Sequence, residues 1–309
     1  MTDSTQQYID EWLRGPVRRL KPTTQLQYAN LIEDLPTAAP TLEDLRSKTL
    51  RRHFRAMVET PVKANRWKAV VSSFCAWLVE EELLEYNPAI GIRKNSEKPK
   101  TRFMTAQDLM EFAGAMEHCR TSPYSLACVR VLLSTGCRLS EALGMTWEEI
   151  QMQPDGSAEW HVPETRTKSA RPLVTRLPAR LVLELRCLDS FNLRGRKGRV
   201  FWSPASPTMP LSMRSVYQAM ERLCLRAEIT RFSPHDLRRT VGTQLARLGI
   251  HVEVRKALLN HAPSGVTNIH YNQYDYWPEK VAALQQMEQL LIETNILPSV
   301  GRQEHLLAS

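Results

Sequence analysis

Two short-range pairs in this sequence have residue types and spacing suited to chemistry. In Ser233-Pro-His235-Asp-Leu-Arg238, the histidine and arginine are three residues apart. They therefore share one face of a helix's first turn. Pro234 suits the start of that helix, where its missing N–H costs nothing. A helix N-terminus, a guanidinium fork and an imidazole together favour a phosphate. The plainer alternative is an arginine paired to a nearby acid and a histidine that caps the helix. In Thr135-Gly-Cys-Arg138-Leu-Ser-Glu141, the Thr-Gly step marks a turn and Arg138 opens a short helix that Gly144 ends. Glu141 can orient the guanidinium, or simply pair with it. His261 follows Leu258-Leu-Asn, and Tyr271 comes ten residues later in YNQYDY. Taken alone, such a histidine caps or packs, and such a tyrosine packs with its hydroxyl bonded.

The elements that position these residues read as two regions. Residues 4–14, 23–35, 49–59 and 62–83 carry apolar residues at helical spacing, and Thr41 with Asp44 opens a further short helix. Asn87-Pro88 stops the last of them. Residues 93–101 are polar and Pro-punctuated, the composition of a linker. Beyond it, helices are predicted at 105–118, 122–135, 138–144, 178–190, 212–227, 236–248, 252–260 and 278–295. Between Trp160 and Leu177 the pattern shifts to two short strands of a hairpin. Val281, Leu284, Met287 and Leu291 share one face of 278–295, which either docks on a neighbour or packs at home. The expected fold is mainly α with a small β-hairpin: a helical region 1–92, a linker 93–101, a mixed region 102–296 and a tail 297–309.

Composition narrows the partners. Of 309 residues, 41 are Lys or Arg and 33 Asp or Glu, a net charge of +8. A basic balance favours a polyanion, nucleic acid or an anionic membrane surface. Arg46 to Lys68 holds eight basic residues against Glu59, and Arg166 to Arg199 holds ten against Glu184 and Asp189. Two such clusters in two regions suit a clamp around a duplex, each phosphate contact releasing counterions. No apolar run is long enough to span a bilayer, and the first residues do not form a signal peptide. The six scattered cysteines include no CxxC pair, which predicts a reducing cytoplasm and no zinc ribbon. Neither GxxxxGK[ST] nor GxGxxG occurs, so no P-loop or Rossmann nucleotide site is expected.

The order and separation of the chemical residues carry more than any one of them. Arg…Glu, a Lys in a hairpin, His-x-x-Arg, His and a late Tyr resemble the pattern of the tyrosine recombinases, or phage integrases, over nearly the whole length. TGCRLSEALGMTWEEI is similar to the family's first arginine box and HDLRRTVGTQLARLGI to its second. LLNHAPSGVTNIHYNQYDY is similar to its His–Tyr end, with Asn260 where glycine is commoner. WHVPETRTKSARPLVTRL resembles the strand–turn–strand that carries its lysine. The helical 1–92, ending in NPAIGI, resembles the SAM-like core-binding domain, and nothing before it resembles an arm-binding domain. Residues 102–296 then correspond to the catalytic domain, and the YNxxDY form resembles integrases of temperate phages and genomic islands.

The resemblance implies a role for each matched position. Arg138 and Arg238 clamp the non-bridging oxygens of the scissile phosphate, helped by His235 and His261. Lys168 protonates the departing 5′ oxygen, and Tyr271 attacks phosphorus to form a 3′-phosphotyrosine. It implies no cofactor, no metal and no ATP. It implies double-stranded DNA sites, a homotetramer on DNA, accessory DNA-bending or directionality factors, and a cytoplasmic protein at the nucleoid that integrates or excises a mobile element. A type IB topoisomerase and a catalytically silent DNA-binding regulator are the alternatives, and all six chemical positions being filled speaks against the second.

Overall fold

The computed structural model describes residues 4–98, 101–188, 197–203, 206–261 and 274–297. The chain divides into two compact units, Met1–Lys100 and Thr101–Ser309.

The first unit is built from α1 (Thr5–Arg14), α2 (Pro22–Ile32), α3 (Leu35–Ala38), α4 (Ser47–Ala56) and α5 (Pro61–Glu80). In α5, Ala64, Trp67, Val71, Phe74, Cys75 and Leu78 recur at three- and four-residue steps and are buried. Trp12 of α1 stacks on Tyr28 at 5.6 Å and tilts against Phe74 at 5.4 Å. The buried Trp67 indole donates to Asp34 at 2.9 Å, so its polar atom costs little. Asn87 donates to the Ser72 carbonyl at 2.8 Å and accepts from Ala89 N–H at 3.0 Å, which pins the Asn-Pro turn onto α5. Thr41 and Asp44 form a capping box, but the helix it opens is a single 3₁₀ turn, Leu42–Asp44. On α4, Leu50 and Phe54 face the core, while Arg46, Lys48, Arg51, Arg52 and Arg55 line an open concavity of about 940 Å³.

The second unit holds α6 (Ala106–His118), α7 (Pro123–Thr135), α8 (Leu139–Leu143), β1 (Ile150–Met152), β2 (Ala158–Val162), β3 (Leu173–Leu177), α9 (Ala179–Arg186), β4 (Trp202–Ser203) and β5 (Ser206–Pro210). It continues through α10 (Met213–Arg226), α11 (Pro234–Arg247), α12 (Val252–Leu258) and α13 (Trp277–Glu293). The apolar α7 is buried almost all round and serves as the axle, with α9, α10, α11, α13 and β3 packed on it. The two predicted strands are β2 and β3, antiparallel with Trp160 opposite Thr175, and their burial alternates as a half-covered pair requires. The sheet has a third strand, the short β1, and β4–β5 form a separate ribbon. Of the apolar face in 278–295, Leu284, Met287 and Leu291 lie in this unit's core beside Ala283, while Val281 is half-buried. Arg176 of β3 holds Glu288 of α13 at 2.7 Å. Among the described residues, no helix is long and apolar enough to cross a membrane.

Candidate active site

The turn after α7 is where the site begins. Gly136 takes φ +66°, and a Cβ there would lie 2.8 Å from Leu259 Cδ2, so this position needs glycine for both shape and space. The chain then swings into α8 with Arg138 as its N-cap residue. Glu141, fully buried, accepts from the Arg138 backbone N–H and from its guanidinium, both at 2.8 Å. The arginine is thus aimed by its own helix, and part of its fork stays open to solvent.

The second arginine comes from α11. Asp236 accepts from the Ser233 N–H at 2.9 Å and its hydroxyl at 2.6 Å, closing a capping box worth about 1 kcal/mol. Burial would raise the Asp236 carboxyl; the hydrogen bonds from Ser233 and Arg239 outweigh it and hold the group below its usual value. Further along α11, Met104 holds the helix: its N–H donates to Thr240 at 2.8 Å and its carbonyl accepts from Gln244 at 2.9 Å. Arg238 is buried and bridges two helix ends: it donates to the Gly136 carbonyl at 2.8 Å and to the Leu259 carbonyl. Burial pushes its pKa down to about 10, and the Arg138 charge pushes the same way. Arg238 therefore remains a cation at neutral pH, held beside a second one.

His235 opens on the same face of α11, and His261 follows α12 through Asn260, which sits at φ +45°. Both imidazoles keep contact with solvent. Each has its pKa lowered, first by partial burial and then by nearby cations, Arg238 and Arg138 among them in both cases. The structure thus gathers Arg138, His235, Arg238 and His261 into one cationic centre. Because folding lowers both histidine pKa values, protonation favours the unfolded chain, and stability falls as pH drops through the ordinary histidine range. NMR titration of the DNA-free protein should place both midpoints below the ordinary value. A phosphodiester seated between the arginines offsets their field, so both midpoints should rise on DNA binding. Unmoved midpoints would place the phosphate elsewhere.

Lys168 is exposed on the connection between β2 and β3. Tyr271 lies outside the described residues. The described chain resumes at Tyr274, whose exposed hydroxyl donates to Glu279 at 3.0 Å and whose ring meets Tyr276 edge-on at 4.9 Å. That hydrogen bond to a carboxylate raises the Tyr274 pKa.

The sequence pointed to local partners here but not to distant ones. The Arg138–Glu141 clamp follows from i, i+3 spacing. The carbonyls that hold Arg238 lie 102 and 21 residues away, and no local signal announces them. The basic run 166–199 also differs from a plain DNA-facing cluster. Arg166 pairs with Glu149, Arg176 with Glu288, and Arg199 reaches the Leu143 carbonyl at 3.5 Å.

Residues 102–276 match the model of the phage integrase family. The tyrosine recombinase XerC of Serratia marcescens is 27% identical over 295 residues, spanning 88% of this chain and 92% of that protein. A lambda integrase dimer bound to a COC′ core site superposes with a TM-score of 0.70 at 17% identity, over 88% of this chain and 78% of that one. A lambda integrase tetramer bound to a Holliday junction gives 0.70 at 16% identity, over 89% and 80%. With more than half of its length matching that model, around paired arginines and histidines, the chain belongs to the phage integrase family.

Proposed function

We propose that this chain is a site-specific DNA recombinase that cuts and rejoins strands through a 3′-phosphotyrosine. The observation that carries the reading is the pair Arg138 and Arg238, two cations held beside each other by buried contacts. An anion between them relieves their repulsion, and a phosphorane gathers more charge there than the ground-state diester does. His235 and His261, neutral at pH 7, donate hydrogen bonds to the same oxygens and can take or give a proton. Tyr271 attacks phosphorus; its proton leaves, the P–O5′ bond breaks, and Lys168 gives the departing 5′ oxygen its proton. The phosphotyrosine keeps the bond energy, so a 5′ hydroxyl of a partner strand reverses the step without ATP. Glu141 and Asp236 are each engaged with an arginine of their own helix rather than with each other. The cations thus do the work of charge stabilisation, and no metal is called for.

Residues 1–92 serve as the core-binding domain, 102–296 as the catalytic domain, and 93–101 as the linker that lets them close on a duplex, with the tail at 297–309. The arginine-lined face of α4 supplies the first unit's phosphate contacts. The solved dimer on a core site and tetramer on a Holliday junction support a DNA-bound tetramer here; accessory bending or directionality factors and a place at the nucleoid belong to the same proposal. All six chemical positions of the family pattern being filled speaks against a silent regulator, and a topoisomerase relaxes DNA without joining separate sites.

Cleavage of a cognate site should survive excess chelator, and two sites on separate duplexes should exchange strands. If EDTA abolishes cleavage while leaving DNA binding intact, and magnesium restores it, the metal-free mechanism fails. Relaxation of supercoils without exchange would favour the topoisomerase.

A further inference from the structure

The connection that carries Lys168 is tied down on both sides. On the β2 side, Arg166 donates to the Glu141 carbonyl at 3.2 Å and pairs with the Glu149 carboxylate. The same Glu149 oxygen accepts from the buried Trp160 indole at 3.0 Å. Glu141 is the residue that clamps Arg138, so Arg166 links the lysine's turn to the arginine's helix. The fit is close: a Cβ at Gly144 would collide with the Arg166 guanidinium. On the β3 side, the Arg171 carbonyl accepts from the Asn260 amide at 3.2 Å, next to His261. Between the two, the buried Thr167 hydroxyl lies 2.7 Å from the Arg171 carbonyl and accepts the Arg171 N–H at 3.1 Å, closing the turn around Lys168.

We infer that Arg166 and Asn260 are positioning residues that hold the Lys168 turn against the cationic centre, one from the α8 side and one from the His261 side. The inference rests on Lys168 as the general acid. A general acid acts only within hydrogen-bond reach of the departing oxygen, and a lysine on a loose loop is rarely there. Displacement by about 1 Å can cost about a hundredfold in rate. Asn260 has a backbone that glycine adopts with less strain. What the asparagine adds over glycine is its amide, and that amide is bonded to the turn.

The test compares single-turnover cleavage by the full-length protein on two nicked duplexes, one ordinary and one with sulfur at the 5′ bridging position. Sulfur leaves without a proton, so a defect in delivering the acid disappears on that substrate, whereas a general structural defect does not. Asn260→Gly should cleave the ordinary substrate about tenfold more slowly, and Arg166→Met about a hundredfold. Both should return to within about twofold of the parent rate on sulfur. Arg166→Met leaves Glu149 without its ion-pair partner and can lower stability, so Asn260→Gly, which relieves backbone strain, keeps the test decisive. Equal slowing on both substrates, or full activity of Asn260→Gly on the ordinary one, overturns the positioning role. Lys168→Ala run alongside separates the two claims. If sulfur rescues Lys168→Ala but neither tether variant, only the positioning role falls. If it does not rescue Lys168→Ala, the general-acid reading falls and the inference with it.

Discussion

Arg238→Ala is expected to reduce cleavage by at least about 10²–10³-fold, the loss typical of removing one donor to a developing oxyanion. It should also destabilise the fold. Arg238 is buried and its guanidinium satisfies the carbonyls of Gly136 and Leu259, at the ends of two different helices. Without it, two buried acceptors lose their donor, at about 1–3 kcal/mol each. Arg238→Lys is the sharper variant. An ammonium keeps the charge, but it is a point donor and cannot hold two carbonyls and still present a fork to phosphate. It should fold better than Arg238→Ala yet recover little activity. Arg138→Ala should behave differently: its guanidinium is partly exposed and, among the described residues, its hydrogen bond is to Glu141 of its own helix. Its stability cost comes from leaving buried Glu141 without a cation, and its loss of cleavage should be comparable. Urea denaturation beside single-turnover cleavage separates these effects. Near-parental activity in Arg238→Lys would mean that charge alone suffices and that the bridged geometry has no role in the reaction.

Local signals were legible wherever one turn of helix settles the contact. The Ser233-Pro234-His235-Asp236 start and the Arg138–Glu141 clamp both follow from spacing of three. The strands β2 and β3 showed through period-two alternation. Strand β1 did not, because three partly exposed residues carry no period. The capping box at Thr41 was legible but not the length of its helix: the chain turns away at Leu45, which packs into the core. Sequence could not decide whether 278–295 docks on a neighbour, since an apolar helix face looks the same whichever core covers it. In the structure Leu284, Met287 and Leu291 pack into this unit's own core. Basic residues are also ambiguous in sequence. Arg51 and Arg52 stand exposed on α4, while Arg166 and Arg176 are half-buried and paired with Glu149 and Glu288.

The nucleophile is the claim on which the rest depends, and three tyrosines in YNQYDY compete for it. Tyr276 packs against the core of its unit. The Tyr274 hydroxyl donates to Glu279, and a phenol held by a carboxylate is harder to ionise, the opposite of what attack requires. A phenol with an ordinary pKa near 10 needs a cationic surrounding to lose its proton at neutral pH. The two guanidinium groups of Arg138 and Arg238 supply that field, and Tyr271 is the proposed nucleophile within it. The direct measurement is a nicked suicide duplex, on which the cleaved strand cannot be rejoined and the covalent protein–DNA adduct accumulates. Tyr271→Phe should bind this duplex as the parent does and form no adduct, while Tyr274→Phe and Tyr276→Phe should still form it. Mass spectrometry of the parent adduct should place the nucleotide on Tyr271. An adduct that persists in Tyr271→Phe, or that maps to Tyr274, would contradict the account.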